Sequence, residues 1–194
     1  MELLLIRHGE DSYKSSSCDN RPLSELAIKR AKALGKVLLS KGVDVMFTSP
    51  LVRALQTAEI ISKETGIEYI VRNELVERKY DCVSNISGIE ANRQVELETY
   101  DDMVLRATRL LVSIKSYEGK KVALISHSEI LNVFINELLQ VGLSTYPLFN
   151  LEPCGITKLS VSNFRANSVD YINNLKYLKY FGDRQGENTY NLNT

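Results

Sequence analysis

Tryptophan is absent from this 194-residue chain, and histidine, methionine, cysteine and proline are sparse at two, three, three and four residues. Net charge is also nil, with 24 Lys and Arg against 24 Asp and Glu. A zero balance argues against a dedicated nucleic-acid binder, which draws much of its affinity from a basic surplus. Cys18, Cys82 and Cys154 are odd in number and far apart, matching neither a disulfide framework nor a CxxC zinc site. Two histidines cannot supply a His-rich cage, so the expected chemistry needs no metal and no cofactor. No apolar run approaches the ~20 residues needed to span a bilayer. The opening residues 1–6 are too short, and lack the basic flank, for a signal peptide. The expectation is therefore a cytoplasmic protein with no membrane partner.

What is present is ordinary globular material, 44% hydrophobic and 25% charged, in a length that suits one domain over 1–194. Neither a repeat nor a Pro/Gly linker divides it. Residues 3–6 read as a buried strand. A helix follows Pro22-Leu23-Ser24, with Ser24 as N-cap, Gly42 past its end, and Ala27, Ala31, Leu34 and Leu38 on one face. A second strand is expected over 45–48. Ser49-Pro50 then reads as N-cap and first-turn proline of a helix that stops at Gly66. Residues 68–71 read as a strand, 101–117 as a helix, 122–126 as a strand and 129–140 as a helix. Final strands are expected over 156–161 and 169–175. Residues 78–102 are expected to form an excursion over one face, and about 182–194 a loose tail. Alternating strands and helices predict an α/β fold, a central mostly parallel sheet flanked by helices in three αβα layers.

The two histidines occupy comparable places. His8 follows the first strand in Ile6-Arg7-His8-Gly9-Glu10, and His127 follows a later one in Leu124-Ile125-Ser126-His127-Ser128. In open α/β sheets, ligands bind beyond the carboxyl ends of the strands. Arg53 stands in the first turn of the helix after the second strand. Three strand ends can thus bring Arg7, His8, Arg53 and His127 into one crevice. Guanidinium forks match phosphate oxygens, and helix N-termini add positive potential. A neutral imidazole there can attack phosphorus while the arginines stabilise the transferring oxygens. Either histidine alone reads more simply as a satisfied polar side chain; the four together do not.

Arg7-His8-Gly9-Glu10 resembles the RHG(E) motif of the histidine phosphatase superfamily, the phosphoglycerate mutase-like proteins. Residues 49–58, Ser-Pro-Leu-Val-Arg-Ala-Leu-Gln-Thr-Ala, resemble its SPLxRAxQTA segment. Arg21-Pro22-Leu23-Ser24 resembles its PLT/PLS helix start, and Ser126-His127 its late SH(G) motif. The likeness covers about residues 1–175. It implies a phosphoglycerate mutase-like fold, His8 as a nucleophile that becomes phosphohistidine, and Arg7, Arg53 and His127 as phosphoryl clamps. It also implies a carboxylic acid that protonates the leaving group. Residues 75–80, Leu-Val-Glu-Arg-Lys-Tyr, resemble the family's L-x-E-R-x-Y form, so Glu77 is chosen and Glu74 is the runner-up. Ser128, Lys14 and Arg21 are the further residues expected to touch phosphate or substrate.

Several positions depart from the family pattern. Asp11 stands where Thr or Ser is common, and Lys14 where mutase-like members often carry Asn. Ser128-Glu129 replaces a Gly-rich step, so Glu129 either caps the helix dipole or faces and repels a phosphate. The sequence favours a metal-independent phosphomonoesterase acting on a small phosphorylated metabolite. A phosphoprotein remains an open alternative substrate. A mutase ranks lower, because residues 78–126 lack an adjacent Arg-Arg pair and place several basic residues in expected helix. A non-catalytic phospho-ligand-binding module ranks lowest, since all five key side chains are kept.

Overall fold

A computed structural model describes residues 1–12, 20–78, 98–141, 149–163 and 165–180. Six strands form one sheet: β1 (Glu2–Arg7), β2 (Val45–Thr48), β3 (Tyr69–Val71), β4 (Lys121–Ser126), β5 (Ile156–Ser162) and β6 (Arg165–Asn174). Their order is β3-β2-β4-β1-β5-β6. The first four are mutually parallel where they pair, and β5 and β6 add an antiparallel edge. The sheet is therefore mostly parallel.

Side chains of a strand alternate between faces, and the central strands show it. Leu3 and Leu5 join one core cluster, with Phe47, Val122, Leu124 and the helices α3 (Tyr100–Ser113) and α4 (Ser128–Leu139). Leu4 and Ile6 join the other, with Ala123, Ile125 and the helices α1 (Glu25–Lys41) and α2 (Val52–Thr65). The result is three layers, helices on both faces of the sheet. Both faces of β1 and β4 are covered, which explains why they read as continuous apolar runs rather than alternating ones.

Most element boundaries follow the local chemistry. Ser24 caps α1 by accepting a hydrogen bond from Ala27 N, and Gly42 ends it in the left-handed conformation at φ 66°. The start of α2 differs from expectation. Its N-cap is Leu51, with no side-chain cap, and Pro50 lies before the helix rather than in its first turn. Ser49 is freed from capping and accepts from Leu51 N at 3.3 Å instead. Of the excursion expected over 78–102, residues 79–97 lie outside the described residues, and residues 100–102 are helical instead. Thr99 and Asp102 form a reciprocal capping box, so α3 already begins at Tyr100. Strand β6 starts at Arg165, earlier than the expected 169. The tail expected at about 182–194 lies outside the described residues. Among the described residues, no helix is long and apolar enough to cross a membrane.

Helices α1 and α2 pack closely where Gly35 faces Glu64. A Cβ on Gly35 would lie 2.7 Å from Glu64 Cβ and 3.5 Å from Ile61 Cα. Those atoms belong to the helix backbone or sit next to it and cannot swing aside. Gly35→Val is expected to destabilise the protein by about 1–3 kcal/mol through overpacking, read as a lower denaturant midpoint. An unchanged midpoint would mean the two helices separate freely.

Candidate functional site

The parallel pairing of β1 with β4 sets Arg7 opposite Ser126 in the sheet. The next residue of each chain is a histidine, so His8 and His127 emerge side by side, their ring centroids 4.8 Å apart. Strand β2 lies on the far side of β4 and leads through Ser49 to α2, which carries Arg53 in its first turn. All three strand ends meet at one edge of the sheet. This is the crevice expected from the sequence.

His8 is 6% exposed and His127 is fully buried. His8 Nδ1 lies 2.6 Å from the carbonyl of Gly9. A carbonyl can only accept, so Nδ1 carries the proton and the lone pair resides on Nε2. Arg53 Nε donates to that Nε2 at 3.0 Å. Burial, then the Arg53 charge, with a lesser contribution from Arg7, push the His8 pKa down to about 3, against the opposing pull of the Gly9 carbonyl. His127 is held well below its ordinary value by burial, and then by His8, Arg53, Arg7 and Arg106. Both rings are neutral at physiological pH. His127 Nε2 shares a 2.8 Å hydrogen bond with Ser49 Oγ, the hydroxyl freed from helix capping.

Arg7 is anchored from outside the cluster. Its Nη1 donates to the carbonyl of Leu151 at 2.5 Å, while its Nε is buried with no protein partner. Thr57 accepts from Gly9 N at 3.1 Å and donates to Arg53 O at 2.7 Å, joining the His8 turn to α2. Guanidinium groups with a buried, orphaned donor are chemically suited to an anion that brings its own acceptors.

A carboxyl group lies beside the helix that follows His127. Glu77 follows a short 3-10 turn, Asn73–Leu75, and its carboxylate faces the start of α4. It accepts from Arg78 N at 3.1 Å, Ile130 N at 3.3 Å and Glu129 N at 3.4 Å. Its pKa is nonetheless raised, first by burial and also by the Glu129 charge, which outweigh the three backbone donors. Glu74 differs. It pairs with Arg72 at 2.8 Å, and that partner, acting first through the hydrogen bond, lowers its pKa. The environments of the two acids differ in the sense that favours Glu77 as a proton donor.

Ser128 opens α4 directly after His127. Arg21 lies 4.0 Å from Asp11, so that acid faces a cation. Glu129 sits in the first turn of α4, where a carboxylate complements the helix dipole, and its charge also reaches Glu77. Lys14 lies outside the described residues, as do Cys18 and Cys82. Cys154 is a buried free thiol, pushed up to about 12 by burial.

Sequence reasoning passed over the residues that hold the turn before Glu77. Ser126 Oγ donates to Leu75 O at 2.5 Å. Arg106 Nη1 donates to Glu74 O at 2.7 Å and Val76 O at 2.6 Å, and the same guanidinium grips both oxygens of Glu98. Asn132 was hidden within α4, though an amide among Ile130, Leu131, Val133 and Phe134 is the kind of polar interruption that signals a buried hydrogen bond.

The model of the histidine phosphatase superfamily (branch 1) matches residues 3–174. The chain belongs to that superfamily. As a histidine phosphatase superfamily member it is 25% identical over 194 residues to a Hydrogenobacter thermophilus protein provisionally assigned as phosphoserine phosphatase 2, covering 89% of this chain and 95% of that one. It is 31% identical over 165 residues to the phosphoglycerate mutase of Schizosaccharomyces pombe, covering 70% and 78%. Among solved structures, mycobacterial glucosyl-3-phosphoglycerate phosphatase complexed with VO3 superposes at a TM-score of 0.73 with 22% identity, covering 89% and 98%. That likeness shows the shared fold.

The depressed histidines make stability pH-dependent. Unfolded imidazoles take up protons near pH 6.5, whereas the folded ones do not until far lower pH. Their contribution is complete above pH 6.5 and is lost as pH falls from there toward about 3 for His8. His8→Asn is expected to flatten the fall in unfolding free energy between pH 6.5 and 4. Parallel slopes for variant and wild type would show that His8 is protonated in the fold.

Proposed function

We propose that this histidine phosphatase superfamily member is a phosphomonoesterase working through a phosphohistidine on His8, with Arg7, Arg53 and His127 as phosphoryl clamps and Glu77 as general acid and base. The reading rests above all on the state of His8: a neutral ring whose Nδ1 proton is committed to the Gly9 carbonyl, leaving Nε2 as the nucleophile beside Arg53.

The chemistry balances without a further reagent. Nε2 attacks phosphorus as the ester P–O bond breaks, and the leaving oxygen takes the Glu77 proton to become an alcohol. Positive charge from Arg7 and Arg53 offsets the charge on the transferring oxygens. Glu77, now a carboxylate, accepts a proton from water whose oxygen attacks phosphorus. The N–P bond breaks, inorganic phosphate leaves, and His8 and Glu77 return to their starting states. A raised Glu77 pKa suits the first step, which needs the proton in place. Glu129 beside it is the charge that makes its loss harder.

The substrate class proposed is a small phosphorylated metabolite. The similarity to the fission-yeast phosphoglycerate mutase supports a second reading, in which the phosphoryl group returns from His8 to another hydroxyl of the bound substrate. Product analysis separates the two: free phosphate for hydrolysis, an isomeric phosphoester for the mutase.

His8→Ala is expected to abolish hydrolysis of p-nitrophenyl phosphate, and a variant at the wild-type rate would remove His8 as nucleophile. Activity should persist in EDTA, because the arginines supply the positive charge; a loss restored by metal would contradict the mechanism. Since Glu77 must be protonated, kcat should fall as pH rises through its raised pKa. In Glu77→Gln that alkaline limb should vanish, and alkyl phosphates should slow more than aryl phosphates. Equal slowing of both ester types would point to another acid.

A further inference from the structure

We propose that Asn132 is a positioning residue for Arg7, acting through the backbone of residues 149–152. The inference rests on the reading of Arg7 as a phosphoryl clamp. Asn132 is 2% exposed on α4, one turn beyond Ser128. Its amide satisfies both backbone groups of one residue across the gap: Nδ2 donates to Phe149 O at 3.1 Å, and Oδ1 accepts from Phe149 N at 3.1 Å. Nδ2 also donates to Ser128 O at 2.9 Å, fastening the turn that follows His127.

Two residues past Phe149, the Leu151 carbonyl accepts from Arg7 Nη1. Leu151 is itself buried, at 3% exposed. The far side of the segment is held by Asn173, whose Oδ1 accepts from Glu152 N at 2.8 Å. The carbonyl that aims Arg7 is thus pinned on one flank from α4 and on the other from β6. The same loop reaches the strand end again, as Cys154 N donates to Arg7 O at 3.0 Å and His8 O at 3.2 Å.

The chemical character of this support matters. A carboxylate partner would orient a guanidinium but also neutralise it. A backbone carbonyl aimed by an uncharged amide orients Arg7 and leaves its full charge for the phosphoryl group. The buried, unpartnered Nε of Arg7 is the donor left for that purpose. If Asn132 served only to satisfy loop backbone, its loss would lower stability without any link to Arg7.

A double-mutant cycle on the full chain separates these roles. The measurements are p-nitrophenyl phosphate kinetics, competitive inhibition by inorganic phosphate, and Tm. Asn132→Ala should lower kcat/KM by about 10–100-fold, the scale of loss for a misaimed catalytic contact, and weaken phosphate inhibition. In an Arg7→Lys background the same change should cost little more. Asn136→Ser, a second buried amide on α4 that donates to Tyr100 Oη at 3.5 Å, should lower Tm and leave the kinetics alone. Wild-type kcat/KM in Asn132→Ala, or an equal fold-loss in both backgrounds, would overturn the proposal. Full activity in Arg7→Lys would instead overturn the clamp reading beneath it. Should Asn132→Ala fail to fold, Asn132→Ser, which stays polar and uncharged but is too short to bridge Phe149, carries the same cycle to the same decision.

Discussion

The parallel register between β1 and β4 is the constraint on which the site depends. Pairing runs from Glu2 with Lys121 to Arg7 with Ser126, so each strand ends one residue before its histidine. Side chains change face with every residue of a strand. A slip of one residue would therefore send Leu3, Leu5, Val122 and Leu124 to the wrong layer as well as separating the rings. The core enforces the register, because both faces are filled: α3 and α4 on one side, α1 and α2 on the other. Precision at the site is thereby underwritten by burial far larger than the site itself.

Electrostatics then dictates protonation. Two buried imidazoles beside two guanidinium groups cannot readily hold additional positive charge, and both remain neutral. The same burial acts oppositely on Glu77, where the charged form is the anion, and keeps a proton on it more readily. Burial thus yields a neutral ring at His8 that resists protonation and a carboxyl at Glu77 that holds its proton more readily. Glu129, for which the sequence left open a helix-dipole role or repulsion of a phosphate, lies in the first turn of α4 beside Glu77 and contributes to that second effect.

The supporting residues share a pattern: they bind backbone carbonyls and N–H groups. Arg106 and Ser126 hold Glu74, Leu75 and Val76 in place, Thr57 ties Gly9 to Arg53, and Asn132 secures Phe149. Irregular segments carry carbonyls and N–H groups that have no ladder partner, and burying them without partners is costly. Side chains that meet this need also decide where the loops sit. Arg106 shows why such roles escape a sequence reading: it was visible only as one basic residue in a helix, and its carbonyl partners lie about 30 positions away.

The alternation of apolar runs and amphipathic segments determined the layered α/β fold, and the local chemistry of Ser24, Gly42 and Gly66 determined helix ends, because those effects act within a few residues. Arg7, His8, Arg53 and His127 were legible for a related reason, each lying at or just beyond the end of a readable strand. Ser49-Pro50 misled, since its hydroxyl had a better use against His127 than at a helix cap, and that partner lies 78 positions away. The contrast between Glu74 and Glu77 rests on Arg72 beside one and the turn of α4 beside the other; the family likeness could rank the two acids but not explain them. Chain-local free energies are written in the order of residues. Which charge is buried, which proton is held and which carbonyl aims an arginine depend on groups brought together only by packing, and the tertiary structure alone decided them.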